Sequence, residues 1–334
     1  MKFISIAATL ILMLMASSVW AEKITLRMAI LGGVSESAYG EAMSKVPDAV
    51  SQATDGNVEV EIYDSLISPT ELPTAVRSGR IDMIGAVHVY MTGEEPRFGV
   101  GHLPGLLRGA EDYQKVLNAF MGDMIADVWD SRYNAHALAQ GIWYAQPHFS
   151  NQPLRTLSDF KGLKVRTHNA EAAQVLRAIG AQPAQIAASE MAGALQRGVI
   201  DALSTETGSA YSLGVQDAAT YISGWQFGDL IGWTVAMNNE KWNSLPDEVK
   251  AQIGKGLSAL QEERFETYAS RKDKKLDLLI GKGMEYIEIA PEEQQKLFDP
   301  DVVGVVYEDW YQRVEEVGGD GQAIVKRARE VLGR

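Results

Sequence analysis

The stretch FKGLKVRTHNAEAAQVLRAIGA, residues 160–181, holds a strand, a turn and a helix in immediate succession. Leu163 and Val165 read as a short strand. Asn169 is a suitable N-cap, Ala173, Leu176 and Ile179 fall on one helical face, and Gly180 stands where a C′ residue ends a helix. Arg166 lies between strand and helix, with no acidic residue nearer in the chain than Asp159 and Glu171. A guanidinium is permanently charged, and its planar fork matches a carboxylate in two parallel hydrogen bonds. At the carboxyl end of a strand, three residues before a helix N-terminus, Arg166 stands where open α/β sheets place their ligand crevice. Two readings stay open from these residues. Arg166 clamps an anionic ligand, or it pairs with an acid across the protein or faces solvent.

Outward from this stretch the same grammar repeats. KITLRMAI alternates Ile24, Leu26, Met28 and Ile30 at strand spacing, a helix is predicted over Tyr39–Ala53, and VEVEIYD is a strand with Val58, Val60 and Ile62 on one side. A helix around LPTAVRSG, a strand IDMIGAV and later alternations indicate an α/β fold with mainly parallel sheets. AVRSGRID (75–82) and ALQRGVID (194–201) share Ala, Gly, Ile and Asp at the same four positions, with Gly79 and Gly198 placed to end short helices. The echo falls once in each half, as expected of two lobes repeating one architecture, although helix, Gly, Ile-Asp and strand is also common α/β grammar.

Pro246 suits a first helical position, and Val249, Ile253, Leu257, Leu260, Phe265, Tyr268, Leu276 and Leu279 continue at roughly helical spacing. One helix from 246 to 280 would run on the order of 50 Å. The heptads are not sustained, so a brace across both lobes is expected in place of a coiled-coil arm. A strand MEYIEI and two further helices, one containing Trp310, are predicted after it.

Lys2, the apolar run FISIAATLILMLMASS and the small residues Val19 and Ala21 form the pattern of a secretory signal peptide cut after Ala21. Its removal takes away Lys2 and no acid, so the net charge moves from −13 to −14 over the remaining 313 residues. That acidity argues against nucleic acid or anionic membranes as partners. The chain has no Cys, which argues against a disulfide scaffold and leaves the core alone to hold it. A periplasmic, monomeric protein is expected. No G-x-S-x-G elbow, P-loop, G-x-G-x-x-G or H-E-x-x-H is present, and His88, His102, His136, His148 and His168 are scattered, so no metal or cofactor is expected.

The run LSDFKGLKVRTHNAEAAQVLRAIGAQPAQIAASEMAGALQRGVIDAL (157–203) resembles the DctP-type solute-binding proteins of TRAP transporters. VRSGRIDM, FGVGHLPGLLRGAEDYQKVL and NEKWNSLPDEVK match in the same order, and the likeness covers essentially the whole chain after the signal. It implies a two-lobed periplasmic binding protein fold (type II-like) with a long helix spanning both lobes. The lobes are expected at 22–145 plus 233–270 and 146–232 plus 271–334, with hinges near 143–148 and 230–235. The resemblance further implies a receptor that closes on a small organic acid and delivers it to the small and large subunits of a membrane permease. In that family the arginine at the place of Arg166 holds the ligand carboxylate.

Departures from the family pattern bear on the ligand. Many members carry a second arginine where this chain has Pro147, which leaves His148 as the nearest substitute. An aromatic common before Ser-Glu is Ala188, and the positions that are acidic, Trp or Asn in relatives are Ser204 and Thr205. A monocarboxylate or sulfonate is therefore expected over a dicarboxylate. Further cleft candidates are His88, Tyr90, Trp143, Thr205, Glu206 and Trp233. Trp143 and Trp233 also suit hinge packing, and Glu206 also suits capping of a helix starting near Gly208. A periplasmic hydrolase or isomerase acting on a small acid, and a sensory receptor, are the alternatives.

Overall fold

The alternation of Ile24, Leu26, Met28 and Ile30 becomes strand β1 (Ile24–Ile30), the first element of a computed structural model that describes residues 23–228 and 230–334. The expected signal segment lies outside those residues. Helices α1 (Ala38–Met43) and α2 (Val46–Ala53), strand β2 (Val58–Asp64), helix α3 (Leu72–Arg77) and strand β3 (Met83–Val87) follow. The sequence predicts one helix over Tyr39–Ala53, whereas the chain makes two. Pro47 has no N–H with which to continue the first and sits instead in the opening turn of α2.

Helices α4 (Ala110–Val116) and α5 (Gly122–Tyr133) lead to β4 (Ala135–Ile142), after which the chain crosses to a second sheet. There it forms β5 (His148–Ser150), β6 (Lys164–Thr167), α6 (Ala170–Ala178), β7 (Gln182–Gln185), α7 (Met191–Gln196), β8 (Ala202–Ser204), α8 (Thr207–Ser212) and β9 (Tyr221–Ser223). It crosses back as β10 (Gly232–Asn238). Helices α9 (Asn239–Ser244), α10 (Asp247–Glu266) and α11 (Tyr268–Gly281) and strand β11 (Glu285–Ile287) come next.

The first sheet has the order β2-β1-β3-β10-β4 and the second β11-β9-β5-β8-β6-β7. Pairings are parallel except those of β5 and β10, the first strand after each crossing, which run antiparallel to both neighbours. β7 was not foreseen. It contains Pro183 and pairs with β6 alone, and a sheet edge is where a strand tolerates a missing N–H.

The repeated octapeptide builds the same junction in both lobes. Gly79 and Gly198 take left-handed backbone angles (φ +69° and +68°) just past α3 and α7. Asp82 then accepts from the Arg27 amide at 2.9 Å, and Asp201 from the Lys164 amide at 2.8 Å. Each aspartate thus ties the entrance of a strand to its parallel neighbour.

The expected brace is present, with α10 on α2 and β4 of the first lobe and α11 on α8 of the second. It is not one unbroken helix. Pro246 caps α10 without joining it, and the helix breaks for one residue at Thr267. There the backbone turns to φ −93° and ψ 0° while its amide keeps the bond to the Glu263 carbonyl, and the Thr267 hydroxyl donates to that same carbonyl at 2.8 Å and accepts from Arg271 Nε at 2.8 Å. The tail holds three helices where two were predicted: α12 (Pro291–Leu297), α13 (Pro300–Glu316) and α14 (Gly321–Leu332).

Nor does the tail belong to the second lobe alone, as expected from the sequence. α13 lies on α6, while its Trp310 donates to the Pro96 carbonyl of the first lobe at 2.8 Å. α14 lies on α4, with the Arg327 guanidinium 4.6 Å from the Phe120 ring centroid. The protein is a two-lobed α/β binding-protein fold. Among the described residues, no helix is long and apolar enough to cross a membrane.

Candidate functional site

The two crossings meet side by side, where the Trp143 amide donates to the Ile231 carbonyl at 2.9 Å. Between the lobes beside this joint lies a cavity of about 740 Å³, a size suited to a small molecule. The first lobe contributes the loop after β1 (Leu31–Val34), Ser65 and Pro69, and Val87, Val89 and Tyr90 after β3. The second contributes Arg166–His168, the 185–189 segment, and Thr205, Ser209 and Leu213. Trp143, Gln146 and Ile231 of the crossings form the back wall.

Arg166 stands at the carboxyl end of β6, between β7 and β8 in register. Its Nε donates to the Ile186 carbonyl at 3.0 Å and Nη1 to the Ser204 carbonyl at 2.9 Å, so carbonyls at the ends of both neighbouring strands aim the guanidinium. It is 5% exposed, and no carboxylate pairs with it among the described residues. Burial lowers its pKa, but guanidinium stays protonated in proteins, so an uncompensated positive charge remains in the cleft wall. The following helix is formed as the sequence predicts. Asn169 caps it by accepting from the Ala172 amide at 2.6 Å, and Gly180 ends it at φ +84°. No lining residue among those described is acidic, and Arg166 is the only Arg or Lys.

Of the residues singled out from sequence, Arg166, Tyr90, Trp143 and Thr205 line the cavity together. Trp143 stacks on Tyr39, with ring centroids 5.3 Å apart and planes 11° from parallel, which fixes an aromatic face on the cleft. The other four lie behind the wall. His88 is fully buried, bonded through Nε2 to the Thr234 hydroxyl at 2.7 Å, and burial pushes its pKa down to about 3. His148 is enclosed by Phe160 and Phe227, ring centroids 5.1 and 4.4 Å away, and burial likewise takes its pKa to about 3. It therefore does not stand in for the arginine absent at Pro147. Trp233 packs over Gly141 and donates to the Ile142 carbonyl at 3.3 Å, which ties the two crossing segments together.

Glu206 caps α8, accepting from the Ser209 amide at 3.3 Å and its hydroxyl at 2.8 Å. Its other oxygen accepts from the Ala38 amide of α1 at 2.9 Å, across the lobes. The same joint holds Lys275 of α11 between Glu36 (2.5 Å) and Glu41 (2.7 Å).

Thr167, His168, Gln146 and the 185–189 segment line the cleft without having been foreseen in that role. His168 could have been found, since it follows Arg166 by two residues at the same strand end. Gln146 and the 185–189 segment carry no local signal, because only the approach of the other lobe turns them into a wall. Glu171 was noted only as a distant acid. It is fully buried and pairs with Arg313 of α13 at 2.5 Å and with His102 of the first lobe at 3.6 Å.

A family model described as bacterial extracellular solute-binding protein, family 7 (DctP), matches residues 33–312. The C4-dicarboxylate-binding periplasmic protein DctP of Rhodobacter capsulatus is 24% identical over 298 residues, covering 86% of each chain. Among solved structures, DctP7 of Bordetella pertussis, an extracytoplasmic solute receptor binding pyroglutamic acid, superposes with a TM-score of 0.81 at 20% identity, over 91% of this chain and 99% of that one. A TRAP periplasmic solute-binding protein of Desulfovibrio salexigens with bound orotic acid gives a TM-score of 0.82 at 20% identity, over 93% and 99%. The match to the family model over most of the chain, joined to a two-lobed fold with an arginine in its cleft, means that this chain belongs to the DctP family of TRAP-transporter solute-binding proteins, receptors for small organic acids.

Proposed function

We propose that this receptor captures an organic acid with a single anionic group, a carboxylate or sulfonate, on an uncharged body. The observation that carries the reading is the charge of the cleft. One buried arginine without a carboxylate partner faces it, and no other Arg, Lys, Asp or Glu among the described residues does. A dianion would bring a second charge out of water with no cation to receive it, and an ammonium group would find no carboxylate. Pyroglutamic acid and orotic acid, bound by two structural relatives, each carry one carboxylate on a neutral ring.

The protein is exported by the signal segment cleaved after Ala21, acts as a monomer in the periplasm, and hands its ligand to the small and large permease subunits. Ligand bridging Arg166 and the aromatic face of Trp143 favours the closed arrangement of the lobes, which turn about 143–148 and 230–235. A thermal-shift screen over carboxylates and sulfonates tests the reading, because a ligand that binds only the folded protein raises its melting temperature by mass action. Singly charged acids should stand out and be recovered unchanged. Arg166→Ala should lose about 2–5 kcal/mol of affinity. A screen won by dicarboxylates, turnover of the ligand, or an Arg166→Ala variant binding as tightly as wild type would each defeat it.

A further inference from the structure

Resting on the reading above, that the cleft takes a singly charged organic acid, we propose that His168 gives the bound anion its second hydrogen bond, beside Arg166, and sets the preference for one negative charge over two. His168 follows Arg166 by two residues where β6 leaves the sheet, and both line the cavity. Among the described residues its ring makes no hydrogen bond, and of its two nitrogens Nε2 is the buried one, which leaves Nδ1 as the atom open to the cavity. The residue that the sequence offered for this task, His148, is sealed between two phenylalanines.

The surroundings keep the imidazole neutral. Burial is the main cause, and the Arg166 charge beside it adds to the effect, together holding the His168 pKa well below the usual 6.5. The groups facing it are Arg166 on β6, His102 from the first lobe, His148 on β5 and Glu171 on α6. Only Glu171 acts in the opposite sense, and its charge is already engaged by Arg313. A neutral imidazole has one N–H to donate and adds no charge. It can therefore share an anion already neutralised by Arg166, but it cannot offset a second carboxylate in a buried site. An arginine at this position would make the cleft doubly positive.

The test uses the full-length mature protein with matched probe pairs that differ in charge: pyroglutamate against glutarate, and glucuronate against glucarate. Affinities are measured by calorimetry for wild type, Arg166→Ala, His168→Gln, His168→Ala and His168→Arg. Wild type should favour the singly charged member of whichever pair it binds. His168→Arg should reduce that preference tenfold or more or reverse it, whereas His168→Ala should weaken the singly charged probe about tenfold and His168→Gln should restore most of the loss. An unchanged preference in His168→Arg, or a His168→Ala variant equal to wild type, overturns the proposal. If His168→Arg fails to fold, the Ala and Gln variants decide it. Failure of the underlying reading looks different, since wild type would then bind no singly charged acid in preference and Arg166→Ala would change nothing.

Discussion

Glu206 gives the structure its sharpest quantitative test. Its carboxyl group is fully buried and joins the first turns of α1 and α8, accepting from the Ala38 amide (2.9 Å) on one lobe and from Ser209 (3.3 and 2.8 Å) on the other. Burial disfavours the charged form, and the nearby Glu41 acts in the same direction. Together they outweigh three hydrogen bonds and raise the pKa from 4.5 to about 7. Lys275, on the same joint, is occupied by Glu36 and Glu41.

Because the folded pKa lies above the unfolded one, the folded state favours the protonated form. The associated stability is whole below about pH 4.5, erodes as pH rises, and is lost above about pH 7. A difference of about 2.5 pH units corresponds to about 3 kcal/mol. Glu206→Gln keeps an acceptor for the Ala38 amide and cannot ionise, so it should not show this loss. Urea unfolding of ligand-free wild type and variant at half-unit steps from pH 4.5 to 8 measures it. The difference between them should move by about 3 kcal/mol in the variant's favour across the window. Parallel curves would show that Glu206 ionises inside the folded protein at no cost, and the account of the joint would be wrong.

Other expectations follow from neighbouring contacts. Glu171 is driven in the opposite direction: burial raises its pKa, but His102 and Arg313 outweigh burial and take it to about 2. Its contribution is therefore present above pH 4.5 and fades as pH falls toward 2, and acid unfolding followed by circular dichroism should begin at higher pH in Arg313→Met. That variant should also cost about 3 kcal/mol at neutral pH in urea unfolding, because it leaves a buried carboxylate without its ion pair. A Cβ at Gly208 would lie 2.0 Å from the Glu36 carbonyl oxygen, so Gly208→Ala should force α1 and α8 apart. The expected loss is about 1–3 kcal/mol of stability, with weaker ligand binding in calorimetry even though residue 208 does not touch the cleft. Where β4 and β10 pair, a Cβ at Gly141 would lie 2.2 Å from the Trp233 ring, and Gly141→Ala should lower the melting temperature in a thermal scan by several degrees.

Much of this architecture could be read locally. Strand alternation in β1 and β2, the capping of α6 by Asn169, and the glycines after α3 and α7 each depend on residues within one or two turns of the chain. The failures have two causes. Pro47 and Thr267 interrupt helices by a missing N–H and a local change of backbone angle, to which hydrophobic spacing is insensitive. His88, His148, Glu206 and Trp233 all follow or occupy strands, as cleft residues do, and each turned behind the wall because its partner was there: Thr234, Phe227, Ala38 and Ile142.

By itself the sequence determined an α/β chain in two repeating halves, a helix long enough to brace both, and a guanidinium at a strand end with no acidic neighbour. All of these are set by periodicity, capping and charge over short distances. Only the tertiary structure decided that Arg166 remains without a carboxylate among the described residues, and that His168 rather than His148 stands beside it. The cleft is assembled from segments as far apart as Leu31–Val34 and Thr205–Leu213, and which side chains face each other across it depends on how two lobes pack, to which no stretch of a few residues is sensitive.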